Sequence, residues 1–207
     1  MSQSIDPVLI DIPMPITTPR LRIEPVAPGH GTYIHEMKAE TWDDLLVWMP
    51  WAYAERDNST VDHTETIVRK SYAEFILRTD MTMIAFEVDS NRPVAMTGLH
   101  RFDWNTRSFE IGYWVRGSAQ GRGYATEIAN ALTRFAFDQL QARRVGISHA
   151  DGNDRSRRVI ERLGYEHEAF RRNVFVMPDG RIMSYHDYVR FNTDNLPALD
   201  VRWQRRQ

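Results

Sequence analysis

Apolar and polar positions alternate along several short runs of this chain, and between those runs they recur at helical spacing. Residues 20–26 set Leu21 and Ile23 against Arg22 and Glu24, which predicts a first strand. Residues 28–37 predict a helix, and residues 42–51 are aromatic and irregular, ending in Trp48-Met49-Pro50-Trp51. A second helix is predicted over 61–78, with Thr60 or Asp62 as its cap and Val68, Tyr72, Phe75 and Ile76 as its apolar face. Residues 82–88, 94–101 and 107–115 then read as strands. Ser90-Asn91-Arg92-Pro93 and Asp103-Trp104-Asn105 supply the turns of an antiparallel meander. In the third of these strands Glu110, Gly112 and Trp114 share one face, and Phe109, Ile111, Tyr113 and Val115 share the other.

The longest helical pattern is 124–141, where Ala125, Ile128, Ala129, Leu132, Phe135, Ala136 and Leu140 form one apolar stripe. Residues 144–149 predict a short strand. Residues 155–163 predict a helix, with Asn153 or Asp154 at its cap and Gly164 just beyond its end. Residues 171–177 and 182–191 flank Pro178-Asp179-Gly180-Arg181, a hairpin signal. The order predicts a single α+β domain on a mixed sheet, spanning residues 17–191. Residues 1–16 read as a Pro-rich extension with an aliphatic patch at 8–12. Residues 192–207 read as a polar, Arg-rich tail with no assignable element.

Between the strand at 107–115 and the long helix lies Gln120-Gly121-Arg122-Gly123-Tyr124-Ala125. A glycine-rich loop that opens into a helix offers unpaired N–H groups and the positive end of a dipole, which suits a phosphate. It lacks the third glycine and acidic ribose reader of the dinucleotide fingerprint, and the Gly-Lys-Ser/Thr of a Walker loop. By itself the pair of glycines also fits a plain strand-to-helix turn.

Composition narrows the chemistry. The chain has no cysteine, which excludes disulfides, thiolate metal sites and a cysteine nucleophile. Net charge is −2, which gives no general case for nucleic acid. No apolar run approaches the ~20 residues of a membrane span. The first residues lack a secretory pattern, so a cytoplasmic protein is expected. No His, Asp or Glu cluster has metal-ligand spacing, and no metal is predicted.

The loop fits Q/R-x-x-G-x-G/A, as Gln120-x-x-Gly123-x-Ala125. With it come Thr18-Pro19-Arg20-Leu21-Arg22-Ile23, Trp48-Met49-Pro50-Trp51, Glu110-Ile111-Gly112-Tyr113-Trp114-Val115 and Asn153-x-x-Ser156-x-x-Val159-Ile160-Glu161-Arg162-Leu163-Gly164-Tyr165. In this order the chain resembles the GNAT superfamily of acyl-CoA N-acyltransferases, closest to its RimJ/RimL-type branch of ribosomal-protein N-terminal acetyltransferases. The resemblance implies acetyl-CoA as cofactor, held between two parallel strands that splay apart. It places the pantetheine arm on the backbone of Trp114 and Val115. It places the pyrophosphate on Gln120, Gly121, Arg122, Gly123, Tyr124, Ala125 and Thr126.

Asn153 and Ser156 then match the family's N-x-x-S. The resemblance implies that Asn153 bonds the pantetheine arm and that Ser156 reaches the CoA sulfur; helix capping is the alternative for both. Glu110 is the first candidate for the base, against the alternative of a salt-bridged strand glutamate. Trp48, Trp51 and Trp104 are expected as walls of the acceptor site, with core packing as the alternative. Ile160 stands where many family members carry a tyrosine acid. His149 and His100 end strands that face the cleft or serve structure. The implied function is direct acetyl transfer to a primary amine. The acceptor is a protein N-terminus in the nearest branch, or a small amine; a non-catalytic acyl-CoA binder is the rival. A homodimer is expected by analogy, together with the N-terminal aliphatic patch.

Overall fold

The computed structural model of the chain describes residues 6–204; the outer parts of the predicted extension (1–5) and tail (205–207) lie outside the described residues. In chain order the elements are β1 (Ile16–Thr17), β2 (Leu21–Pro25), α1 (Gly31–Ala39), α2 (Trp42–Trp48), α3 (Trp51–Asp57) and α4 (Val61–Leu77). They continue as β3 (Met81–Glu87), β4 (Pro93–Asp103), β5 (Ser108–Val115), α5 (Tyr124–Leu140), β6 (Arg144–Ala150) and α6 (Asp154–Arg162), then β7 (Glu166–Val176), β8 (Ile182–Arg190) and β9 (Arg202–Trp203). The strands form one sheet in the order β7-β8-β6-β5-β4-β3-β2-β1-β9. Every neighbouring pair is antiparallel except β5 and β6.

Helices cover both faces of the sheet. The stripe of α5 (Ile128, Ala129, Leu132, Phe135, Ala136 and Leu140) is buried against Leu21, Met83, Leu99, Phe109, Ile111, Val145 and Ile147. Alanines in that stripe let the helix approach the sheet closely. On the opposite face Ile34 and Met37 of α1 and Val68 of α4 pack on Ile84, Phe86, Met96 and Trp114. Strand alternation thus sends odd residues of β5 to α5 and even residues to α1 and α4.

The aromatic segment that reads as irregular folds as two short helices, α2 and α3. Met49 before Pro50 is extended, as the residue preceding a proline prefers. Pro50 then starts α3, where its missing N–H costs nothing. The β7–β8 turn holds this pair in place. Tyr53 donates to Asp179 at 2.6 Å, and Arg181 donates to the carbonyls of Leu46 and Val47 at 3.1 and 3.2 Å.

The segment beyond β8 packs on α5 rather than standing free. Leu196 is buried in the main core, with Leu199, Val201 and Trp203 against it. Asn130 and Arg134 both donate to the Pro197 carbonyl, at 2.8 and 3.1 Å. On the other side Ile16 is fully buried.

Candidate active site

β5 and β6 pair only over Ser108–Arg144, Phe109–Val145 and Glu110–Gly146. Beyond Glu110 they part, so the edge of β5 from Ile111 to Val115 that faces β6 has no strand partner. That opening leads into a cleft of about 1520 Å³, which runs from the start of α5 to α1, α2 and α4. A cleft of this size exceeds an ordinary small-ligand pocket of about 300–1,000 Å³. It has room for a long cofactor and a second substrate together.

At one end sits the glycine loop. Gly121 and Gly123 have φ of 75° and 82°, a region costly for other residues. Gly123 is the N-cap of α5 and no side chain caps this helix, whereas Thr60 caps α4 and Asn153 caps α6. The first N–H groups of α5 therefore face the cleft without a side-chain acceptor, as a pyrophosphate requires. A methyl group on Gly121 would meet nothing within 4 Å, so backbone conformation, not crowding, requires glycine there.

Gln120 braces the loop. Its amide donates to Asp44 at 2.8 Å and to the Val115 carbonyl at 3.3 Å, and Arg155 donates to it at 2.9 Å. Gln120, Gly121, Gly123, Tyr124, Ala125 and Thr126 all line the cleft; the Arg122 side chain does not. The Arg122 carbonyl instead accepts from Arg20 at 2.9 Å.

Asn153 caps α6 and lines the cleft. Its Oδ1 accepts from the Ser156 N–H at 3.1 Å as the cap of α6, which leaves its amide NH₂ for a ligand. Ser156 Oγ lies 3.0 Å from the hydroxyl of Tyr113, and desolvation pushes that phenol up to about 12. Tyr113 therefore stays protonated and can donate. Ile160 is fully buried in the core and offers no chemistry. Tyr113 is a residue that sequence reasoning missed, because it reads simply as an apolar-face strand position.

On the other face, both carboxylate oxygens of Glu110 are forked by the Arg101 guanidinium, with the Nε–Oε2 contact at 2.8 Å. The salt-bridged alternative thus holds in this structure, and two of the carboxylate's roughly four lone-pair sites remain for a ligand. Trp48, Trp51 and Trp114 line the cleft, with the rings of Trp51 and Trp114 at 6.4 Å. Trp104 does not join them. It packs on Phe102 and Phe109 at the far end of β5, and its Nε1–H donates to the Arg78 carbonyl at 2.9 Å. His149 faces α6. It is buried, its Nδ1 lies 2.8 Å from the Ala150 carbonyl, and burial lowers its pKa.

The approach to the glycine loop is pinned by Glu40, which accepts from Arg116 and, at 2.6 Å, from Ser118. These bonds hold its carboxyl down at about 2, against an ordinary 4.5. A depressed carboxyl stabilises the fold above its unfolded pKa and loses that contribution as pH falls toward its folded one. The Tm advantage of the native chain over Glu40→Gln is therefore expected in full above pH 4.5 and should close between pH 4.5 and about 2. Thermal melts across that range check it, and a gap that stays constant with pH would refute it.

Among the described residues no group of three or more His, Cys, Asp or Glu side chains could hold a metal ion. No helix among them is long and apolar enough to cross a membrane.

Comparison with known proteins shows the family. The model of the acetyltransferase (GNAT) domain family matches residues 20–166. The Bacillus subtilis protein YdaF, which carries the provisional name ribosomal N-acetyltransferase, is 33% identical over 83% of this chain and 90% of its own length. The ribosomal-protein-serine acetyltransferase of Escherichia coli is 26% identical over 70% of this chain and 78% of its own. Among solved structures, RimL, a ribosomal L7/L12 alpha-N-protein acetyltransferase in complex with coenzyme A, superposes with a TM-score of 0.78. At 16% identity it covers 86% of this chain and 97% of its own, a likeness of fold.

Proposed function

The chain belongs to the GNAT acetyltransferases, and from that premise we propose that it carries acetyl groups from acetyl-CoA to the α-amine at the N-terminus of a protein or peptide. The carrying observation is the parting of β5 and β6 beyond Glu110, which joins an uncapped helix N-terminus on one side to an aromatic, carboxylate-bearing cleft on the other. The names of two relatives, both concerned with ribosomal proteins, favour a protein acceptor. The volume of the cleft, about 1520 Å³, also leaves room for a chain end beside the cofactor.

When bound, acetyl-CoA supplies the acetyl group: a C–N bond forms to the thioester carbonyl carbon, the C–S bond breaks, and the thiolate leaves with the electron pair. Gly121, Gly123 and the first turn of α5 hold the pyrophosphate. The edge of β5 at Trp114 and Val115, which has no strand partner, and the Asn153 amide hold the pantetheine arm as an added strand would be held. Ser156, with the protonated Tyr113 behind it, faces the departing sulfur. Glu110 draws the acceptor ammonium to the mouth of the splay. Trp48 and Trp51 wall the acceptor's first residues. A cytoplasmic setting goes with such an acceptor.

The test is release of CoA from acetyl-CoA across Ser-, Ala- and Met-starting peptides, lysine side chains, polyamines and aminoglycosides. A thiol-reactive dye reports it without background, since the protein has no cysteine. Turnover confined to the peptides carrying a free α-amine is expected. Turnover only with a small amine would replace the acceptor, and acetyl-CoA binding without turnover anywhere would favour a non-catalytic binder.

A further inference from the structure

We propose that His100, oriented by Asp80, is the group that takes the proton from the acceptor ammonium; this rests on the acceptor reading above and adds a catalytic residue to it. His100 lies on β4 directly across from Glu110, the last residue of β5 that pairs with β6. It therefore stands where the splay begins, on the face that carries Glu110, Gly112 and Trp114.

Its ring is seated in a gap made by two glycines. Gly98 and Gly112 face one another across β4 and β5. A methyl group on Gly98 would lie 2.6 Å from both Cε1 and Nε2 of the ring, and one on Gly112 would lie 2.9 Å from Cδ2. Glycine inside a strand weakens it and marks a close approach. The imidazole laid across them accounts for Gly112, and it accounts for Gly98 together with the Met81 carbonyl oxygen, which lies 2.5 Å from that same methyl position.

The ring is held in one tautomer. Nδ1 lies 2.8 and 3.0 Å from the two carboxylate oxygens of Asp80, and Asp80 also accepts from Thr82 at 2.8 Å. Nδ1 thus carries the hydrogen and Nε2 presents a lone pair. Nε2 has no protein partner among the described residues, and His100 lines the cleft. Carboxylate, imidazole and a free Nε2 form the arrangement by which a base is oriented for proton transfer.

The other acids of the cleft are already engaged. Asp44 accepts from Gln120 and Arg155, Glu55 from Lys38, and Glu110 from Arg101. Arg171, paired with Asp187, and Tyr185 also line the cleft, as do Arg158 and Arg162 of α6. The cleft's other histidine, His149, has a buried, unpartnered Nε2 but lies on the opposite side of the sheet, with Val145 and Ile147, so among the described residues His100 is the one cleft-lining imidazole on the face of Glu110. The ammonium gives its first proton to Nε2, and the amine's lone pair forms the C–N bond. The second proton passes to the departing sulfur, and His100 returns its own to solvent.

His100→Gln, Asp80→Asn and the native chain test this with the best acceptor from the amine panel. For His100→Gln, kcat is expected to fall by about 10²- to 10⁴-fold. Acetyl-CoA affinity by calorimetry should be unchanged, and the acid limb of the kcat/KM profile should be lost. Asp80→Asn should keep that limb but displace it, the mark of a positioning residue. Added imidazole should partly restore His100→Ala. A His100→Gln enzyme with native kcat and a native acid limb overturns the proposal. A native enzyme that turns over only non-α-amines overturns the acceptor reading instead, and the same variants then test His100 with that amine. ¹⁵N imidazole resonances need no acceptor: they should show Nδ1–H in the native chain and mixed tautomers in Asp80→Asn. An Nε2–H ring in the native chain overturns the proposal whatever the acceptor.

Discussion

Glu127→Ala is expected to cost about 2–4 kcal/mol of folding stability and to weaken acetyl-CoA binding in the same variant. Glu127 lies in the first turn of α5, with its side chain 7% exposed. It accepts from Thr18 Oγ1 at 2.6 Å and from Arg20 Nε at 2.6 Å. A carboxylate in the first turn also favours the helix dipole. Removing it leaves the buried Thr18 hydroxyl with only the Leu21 carbonyl, at 3.4 Å, as acceptor and takes the acceptor from Arg20 Nε, which is the costly direction. The loss then travels to the site. Arg20 stacks over Tyr124 at 4.8 Å and donates to the Arg122 carbonyl, so it holds the glycine loop in shape. Urea denaturation should show a lower midpoint at an unchanged slope, and calorimetry should show a higher Kd for acetyl-CoA. A variant that loses stability but binds acetyl-CoA at native strength would break the link between this cluster and the loop.

Glu110→Gln is expected to lower kcat/KM for the acceptor by about 10- to 100-fold, chiefly through KM, because a hydrogen bond to a charged group is worth about 1.5–3 kcal/mol. The loss has two parts. The ammonium gives up a carboxylate partner, and Arg101, released from its fork, presents an unmatched positive charge to an incoming cation. Acetyl-CoA affinity should hold, since Glu110 faces away from the glycine loop. Initial rates with varied acceptor, beside calorimetry with acetyl-CoA, separate the two substrates. A loss in kcat together with the acid limb, at native KM, would return the base to Glu110 and take it from His100.

The parts of the fold legible in sequence are those whose pattern is written in consecutive residues. The stripe from Ala125 to Leu140 identifies α5 because every core-facing turn of that helix carries an apolar residue. The glycine loop is legible for a similar reason, since two φ-positive positions precede a helix with no capping side chain. β7 is legible only in its second half. It begins at Glu166, five residues before the expected start, and it lies at the sheet's edge with nearly all residues exposed. No inward face imposes alternation on Glu166-His167-Glu168. β1 and β9 are two residues each, too short to hold a period.

The site divides along the same line. Residues in a contiguous motif, from Gln120 to Thr126 and Asn153 with Ser156, reach the cleft as a group, apart from the side chain of Arg122. Trp104 does not, because an aromatic residue announces burial without saying on which side of a sheet. Tyr113 and His100 acquire their partners only through pairing across strands and helices. Ser156 lies 43 residues from Tyr113, and Asp80 lies 20 from His100. Gly98 and Gly112 look like weak points in two strands until the register places them opposite each other. The reason for Thr18-Pro19-Arg20 lies 107 residues along the chain, at Glu127.

The pairing of β1 with β9 sets an order of events in folding. Thr17 and Arg202 stand 185 residues apart in sequence and side by side in the sheet. Closing so long a loop is entropically unfavourable and brings its return only when both ends have arrived. Until residues 202–203 dock, β2 to β8 can already be assembled while β1 presents an open edge of the kind that recruits other chains. Docking of Trp203 onto Phe135, with rings 6.0 Å apart, then covers that edge from the α5 side. A chain that has assembled β2 to β8 but not yet docked residues 202–203 is therefore the species most exposed to misassembly at this edge.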